Sequence, residues 1–279
     1  GTDMTPDLSI AFIGGGNMAA ALISGLAGKL CPMANIHVVE VNDSVRQSWA
    51  ERGASVSAAP DEALSRCKVW VYAVKPQVMK EVAASTRPWL KDSLVISIAA
   101  GIRMVDLARW LGTEAAPWQR LVRCMPNTPA LIGQGVTGLA ASDGVGEADR
   151  AQAEAILQAV GQTVWVGRED DLDGVTALSG SGPAYVFLFI EALIEGGLAV
   201  GLDAEQSRKL ALATLAGAAN LAASSSDPPA VLRERVTSKG GTTAAALDVL
   251  AQAGFRQALV RAMQAAAQRA REMGDAFGK

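Results

Sequence analysis

The chain has 279 residues, half of them apolar and 19% charged, and its mean hydropathy is +0.21. That composition excludes a disordered chain and leaves room for about two oily domains, each with its own core. A formal net charge of −3 supplies no basic field for a phosphate backbone or an anionic membrane, so neither nucleic acid nor membrane is an expected partner.

From Met4 to Gly167 strand-length apolar runs alternate with helix-like segments, which predicts a Rossmann-type α/β domain. The first run, Ser9 to Ile13, leads directly into Gly14-Gly15-Gly16-Asn17-Met18-Ala19, a G-x-G-x-x-A turn opening a helix near Met18 to Lys29. In such a turn Gly14 permits the reversal, Gly16 removes the Cβ that would block a pyrophosphate, and Ala19 lets the helix sit close to the strand. The free N–H groups at the helix start then receive the negative charge. The second run, Ile36 to Glu40, ends in an acid about twenty residues past the turn, where a carboxylate accepts from ribose hydroxyls and repels a 2′-phosphate. Glu40 therefore favours NADH over NADPH, and the alternative is a solvated strand end.

Helices follow near Ser44 to Arg52 and Pro60 to Ser65, then a strand at Lys68 to Val74 that ends in Ala73-Val74-Lys75-Pro76. After a helix at Gln77 to Arg87, a strand at Leu94 to Ala99 ends in Ala99-Ala100-Gly101. After a further helix at Arg103 to Leu111, a strand at Arg120 to Met125 ends in Met125-Pro126-Asn127-Thr128-Pro129. Ligands of open α/β sheets bind beyond the carboxyl ends of strands, so these loops are expected to border the glycine turn's crevice. Lys75 is either a cation facing that crevice or a surface lysine, and Asn127 either lines a nicotinamide pocket or belongs to a rigid turn. Runs at Thr137 to Ala141 and Thr163 to Val166, with a helix at Glu147 to Val160 between them, extend the sheet. Unbroken apolar strands of this kind suit burial on both faces.

Residues 168–279 carry no convincing strand and read as an all-α domain, with helices near Asp173 to Val200, Asp203 to Ala223, Pro229 to Val236, Thr242 to Ala253 and Phe255 to Met273. The most hydrophobic stretch, Pro183 to Leu202, is interrupted by Glu191, Glu195 and Gly196-Gly197, and a buried helix is expected there rather than a membrane span. So many oily helices predict closure against another subunit. In Ser238-Lys239-Gly240-Gly241-Thr242-Thr243, Gly240 and Gly241 expose backbone N–H groups as Thr242 opens a helix. The loop is either a cradle for a carboxylate or a threonine cap behind a glycine turn.

The lone His37 excludes a His triad or a multi-His metal site, and no metal is expected. Cys31, Cys67 and Cys124 fit no disulfide or CxxC pattern and read as reduced thiols. No charged segment followed by an apolar run opens the sequence, and a cytoplasmic location is expected.

Five blocks in order, Phe12-Ile13-Gly14-Gly15-Gly16-Asn17-Met18-Ala19, Ala73-Val74-Lys75-Pro76, Met125-Pro126-Asn127-Thr128-Pro129, Leu178-Ser179-Gly180-Ser181-Gly182-Pro183-Ala184-Tyr185 and Ser238-Lys239-Gly240-Gly241-Thr242-Thr243, resemble pyrroline-5-carboxylate reductase. The resemblance spans nearly the whole chain. It implies reduction of Δ1-pyrroline-5-carboxylate to L-proline by NADH or NADPH, the last step of proline biosynthesis. It also implies a Rossmann domain followed by an all-α dimerisation domain that intertwines with a partner, often within a larger ring. By similarity, the Thr243 hydroxyl meets the ring nitrogen of the substrate, while Ser238 and the backbone of Gly241 and Thr242 hold its carboxylate. Glu169 matches a position near the substrate, though a solvated helix start accounts for it as well, and Ser181 belongs to a helix break that suits either a close crossing or a pocket wall.

Three departures concern affinity more than reaction type. Lys239 replaces a proline, Glu40-Val41 stands where many members have Asn-Arg or Ser-Pro, and Ala59-Pro60 replaces a segment that often supplies an Asn. A β-hydroxyacid dehydrogenase is the nearest rival, but it needs a lysine acid/base that Gly180 to Tyr185 lacks. A non-catalytic dinucleotide sensor is the other alternative, and it has no need of a second anion cradle.

Overall fold

The computed structural model describes residues 4–279 as two compact units. One runs to Ser181 and takes back Ala266–Lys279, and the other is Gly182–Ala265. The division expected at 167/168 is thus displaced. Leu172 is fully buried, and a Cβ on Gly138 would lie 2.7 Å from Val175. Residues just past the last strand therefore complete the first core instead of starting the second.

The first unit contains β1 (Ile10–Ile13), α1 (Asn17–Leu26), β2 (Ile36–Val39), α2 (Asp43–Glu51), β3 (Ser55–Ser57), β4 (Val69–Tyr72), α3 (Met79–Thr86), β5 (Leu94–Ser97), α4 (Met104–Leu111), β6 (Leu121–Met125), β7 (Gly135–Ala141), α5 (Glu147–Gln158), β8 (Gly161–Trp165) and α6 (Asp171–Val175). The strands form one sheet in the order β3-β2-β1-β4-β5-β6-β7-β8. β1 to β6 run parallel, β7 opposes β6, and β8 follows β7. The Rossmann-type architecture expected from the sequence is present. Alternation along the strands divides the core between the two faces: Ile10 and Phe12 pack with Leu22, Ile23 and Ile156, whereas Ala11 and Ile13 pack with Met79, Ala83 and Leu107. Helices on both faces explain why these strands read as unbroken apolar runs.

Two local expectations change. β3 is a short polar edge strand, invisible to a search for apolar runs, and it is held by His37 of β2. One imidazole nitrogen lies 2.8 Å from Ser55 Oγ and the other 2.9 Å from Ser57 Oγ. The helix expected at Pro60 to Ser65 is a 3₁₀ segment, Glu62–Arg66, whose Ala63 N–H donates to the Asp61 carboxylate at 2.9 Å.

The second unit is all helix: α7 (Gly182–Ala199), α8 (Ala204–Ser224), α9 (Pro229–Arg235), α10 (Thr242–Gln252) and the first part of α11 (Phe255–Phe277). Asp203 and Gln206 start α8 with a reciprocal capping box, which satisfies two otherwise orphan N–H groups. The single helix expected from Asp173 to Val200 is divided by a π-turn at Thr176–Gly180. The expectation of a buried helix fails for the isolated chain. α7 contains no buried residue, and Phe187 and Leu188 are 59% and 66% exposed. The continuous helical stretch Asp171–Ala199 is long and apolar enough, by length and composition, to cross a membrane.

Burial lowers the pKa of His37 from 6.5, with Arg66 adding to the effect and Asp61 opposing it. The unfolded chain therefore takes up a proton near pH 6.5 that the folded chain refuses. Stability is expected to be complete above that pH and to decline as pH falls through 6.5 toward the lower folded value. Urea unfolding between pH 5 and pH 7.5 should show this slope in the wild type and its loss in His37→Gln.

Candidate functional site

The turn after β1 is built by close approach. Gly14 has φ +97°, and a Cβ there would lie 2.7 Å from the Ala73 carbonyl oxygen and 2.9 Å from Val74 Cγ1. Its N–H donates to the Val39 carbonyl at 3.1 Å, and the Ala73 N–H donates to Ile13 at 2.8 Å, so the ends of β1, β2 and β4 meet at this residue. A Cβ on Gly15 would fall 2.7 Å from Glu40 Oε2. A Cβ on Gly16 would meet nothing within 4 Å. That open space lies at the N-cap of α1, which has no side-chain cap and no acid in its first turn. The first ladder bond of the helix is Ala20 N–H to Gly16 O at 2.9 Å, which leaves Asn17, Met18 and Ala19 without intrahelical partners for their N–H groups. This geometry fits a pyrophosphate. Beside the turn the Glu40 carboxylate accepts from the Asn42 N–H at 3.0 Å, while Arg46 donates to the Glu40 carbonyl at 2.9 Å and pairs with Asp43. Lys75 is exposed at the end of β4, and Pro76 begins a 3₁₀ turn.

Other expected site residues are held by contacts within the fold. Asn127 donates to the Ser179 carbonyl at 3.0 Å and accepts from the Val136 N–H at 2.9 Å. Its amide ties the Met125-Pro129 loop to the π-turn and β7. Glu169 accepts from the Met104 N–H at 2.7 Å and pairs with the buried Arg123 at 3.0 Å, capping α4 from a distance. Ala99 is buried, and Gly101 at φ +75° faces the Phe277 ring. Ser181 donates its N–H to the Thr176 carbonyl at 2.7 Å, closing the π-turn. A Cβ on Gly180 would lie 2.7 Å from Met125 Cε, so the helix break serves a close crossing.

In the second unit, Ser238 to Thr243 repeats the logic of the first turn. Gly240 has φ +74°, and a Cβ on Gly241 would lie 2.6 Å from Ser238 Oγ. Gly241 is the N-cap of α10, again with no side-chain cap and no acid in the first turn. The threonine cap considered from the sequence does not form. Ala245 N–H reaches the Gly241 carbonyl at 3.2 Å, leaving the N–H groups of Thr242, Thr243 and Ala244 outside the helical ladder. By contrast α2 is closed by its own Asn42, whose side chain accepts from the Val45 N–H.

The comparisons with known proteins match the two halves of the chain separately. Residues 169–273 match a family described as pyrroline-5-carboxylate reductase dimerisation, and residues 9–101 match one described as NADP oxidoreductase, coenzyme F420-dependent. A pyrroline-5-carboxylate reductase of Pseudomonas aeruginosa is 44% identical over 272 residues, which is 97% of this chain and 98% of that protein. The chain belongs to the pyrroline-5-carboxylate reductase family. Another member, from Pisum sativum, is 38% identical over 97% of each chain. The solved reductase of Coxiella burnetii superposes with a TM-score of 0.87 at 37% identity, covering 96% of this chain and 98% of that one. The Plasmodium falciparum enzyme, solved with NADP bound, gives 0.83 at 30% identity, covering 97% and 100%.

Arg123, on a buried strand, and Arg103, before α4, carry long-range ion pairs, and neither sits in a local pattern that would mark it. Burial raises the pKa of all three thiols, that of Cys67 to about 11 despite Arg66, so none is a ready nucleophile. No cluster of three or more metal-ligating residues occurs among the described residues.

The contrast between the two glycines is testable. Gly14→Ala is expected to lose about 1–3 kcal/mol of folding stability, because it forces a strained φ against a backbone carbonyl. Gly16→Ala is expected to lose about 1 kcal/mol or less but to weaken dinucleotide binding at least about tenfold by filling the phosphate space. Thermal melts and cofactor titration together separate the two effects.

Proposed function

We propose that this chain reduces Δ1-pyrroline-5-carboxylate to L-proline with a reduced nicotinamide dinucleotide. The single observation that carries the reading is the pair of open helix N-termini, one behind Gly14-Gly15-Gly16 and one behind Gly240-Gly241, in a chain belonging to this reductase family. Each suits one anion, a pyrophosphate or a substrate carboxylate. The bound cofactor supplies the hydride that the ring carbon accepts as its C=N bond becomes a C–N bond.

The residues do not have to supply a strong base. A cyclic imine that arrives protonated is already an electrophile, and hydride addition yields a neutral secondary amine. The protein's contribution is placement and charge complementarity. The N–H groups of Gly241, Thr242 and Thr243, with the Ser238 hydroxyl, hold the carboxylate, and Gly240 gives the turn its shape. The Thr243 hydroxyl is assigned to the ring nitrogen. Gly14, Gly16, Asn17, Met18 and Ala19 hold the pyrophosphate. Ala73, Val74, Lys75 and Pro76, with Ala99, Ala100 and Gly101, border the remainder of the cofactor. Glu169, Ser181 and Asn127 act through the backbone they position. This part of the reading replaces direct contact with substrate or nicotinamide by positioning, because the bonds of Glu169 and Asn127 are internal to the fold.

Glu40 supports NADH as the preferred cofactor, since its carboxylate stands beside the turn where a 2′-phosphate would add like charge. A second copy of the chain covers the apolar face of α7 in a homodimer, which the dimerisation match over residues 169–273 supports. Assembly of such dimers into a larger ring, and a reducing cytoplasmic setting for the three free thiols, complete the proposal.

Oxidation of NADH and of NADPH, each with Δ1-pyrroline-5-carboxylate and each in a control lacking the imine, tests the reaction. Imine-dependent turnover with a higher kcat/KM for NADH is expected, and turnover in neither case overturns the reading. Glu40→Ser should narrow the gap between the cofactors by about tenfold. Thr243→Ala should lower kcat by about ten- to a hundredfold while cofactor affinity is unchanged, and wild-type turnover would remove that assignment.

A further inference from the structure

We propose that the C-terminal end of α11 is a positioning clamp for the loop Ala99–Gly101, and that Phe277 is its central residue. The proposal rests on the reading that this loop borders the cofactor. The loop leaves the sheet after the Ile98 N–H bond to the Tyr72 carbonyl, one residue short of Ala73, whose backbone closes against Gly14. It therefore starts at the same sheet edge as the phosphate turn.

From there the loop is held by residues far away in sequence. Gly101 adopts φ +75°, and a Cβ on it would lie 2.9 Å from Phe277 Cδ2 and 3.4 Å from Met273 Cβ. The absent side chain is what lets the aromatic ring press on the loop backbone. On the far side of the ring contact, Arg103 pairs with Asp275 at 2.6 Å and donates to the Arg271 carbonyl at 3.0 Å. Arg109 donates to the Gly278 carbonyl at 3.1 Å. Gly274 and Gly278 face the Arg103 guanidinium and the Asp106 carboxylate at distances that would not admit a Cβ unmoved. The helix end and α4 are thus interlocked by three glycines, two arginines and one ring. Glu169 fixes the opposite end of the same segment through the Met104 N–H. A loop ordered before the cofactor arrives does not have to be ordered by it, and that difference appears as affinity. Asp275, Phe277 and Gly278 all lie past residue 273, where the dimerisation match ends.

The test compares the full-length chain with Phe277→Ala, Phe277→Leu and Asp275→Ala, using NADH and NADPH fluorescence titration, steady-state kinetics and thermal melting. Phe277→Ala should weaken cofactor binding about tenfold and raise the cofactor KM by a similar factor, with the KM for the imine unchanged. Phe277→Leu, which keeps apolar bulk over Gly101, should recover most of that loss. Asp275→Ala removes an exposed partner of Arg103 and should weaken cofactor binding about threefold in a folded protein, so a poorly folded Phe277→Ala does not shelter the idea. Unchanged cofactor affinity in both alanine variants, with only a lower melting temperature, would reduce the clamp to a stabilising cap and overturn the proposal. A wild-type chain that binds cofactor but turns over no imine would remove the catalytic reading, while the affinity ratios would still decide the clamp.

Discussion

The first unit depends on one close approach, that of Gly14 to the Ala73 carbonyl. A side chain at Gly14 would push β1 away from β4, and with it the neighbouring strands β2 and β5. Because Gly14 fits, the chain can turn sharply from the centre of the sheet into α1, and the helix begins with its N–H groups aimed outward beyond the strand ends. An uncapped helix start exposed in this way is costly to leave empty of negative charge or water. The glycine turn makes the strain affordable by removing Cβ atoms where backbone must meet backbone and where backbone must meet ligand. Gly14 does the first and Gly16 the second.

The same physical device appears again at α10, where Gly241 leaves the helix uncapped and Gly240 provides the left-handed turn. Two other helices close their own ends with side chains. Asn42 caps α2, and Asp203 and Gln206 cap α8. α4 is closed from afar by Glu169. An open helix start behind a glycine turn is a place for an anion, although α3, α5, α6 and α9 also begin without a side-chain cap. It also explains why a single histidine suffices: the chemistry asks for placement of anions, and backbone N–H groups supply it. His37 has a scaffold role instead, clasping Ser55 and Ser57 at the edge of the sheet.

The apolar helices of the second unit follow a different constraint. α7 exposes Phe187, Leu188 and Phe189, of which only Phe189 meets another ring of the chain, that of Phe255 edge-on at 6.5 Å. Exposed aromatic surface of this extent is unfavourable in water and is removed by association. These residues lie within the match to the family described as pyrroline-5-carboxylate reductase dimerisation. An apolar sequence pattern reports that a surface is buried without saying by which molecule, so a buried helix is expected from the sequence while α7 has no buried residue in the isolated chain.

Much was legible before any coordinates. The order of strands and helices, the glycine turn with Glu40 beside it, the Gly-Gly-Thr-Thr loop and the family itself are all carried by residues that are neighbours in sequence, and local patterns record local geometry. β3 escaped because its residues are polar and its partner is a histidine eighteen residues away. The actual partners of Glu169, Asn127 and Gly101 escaped because Arg123, Ser179 and Phe277 have no local signature that links them to those positions. The sequence by itself determined the fold class, the glycine turn after β1 and the Gly-Gly-Thr-Thr loop, since each depends on glycine spacing and hydrophobic period. Only the tertiary structure decided which suspected site residues are scaffold, where the first core ends and what the last turns of the chain hold, because those depend on contacts between segments distant in sequence, 46 residues apart for Arg123 and Glu169 and 172 for Arg103 and Asp275.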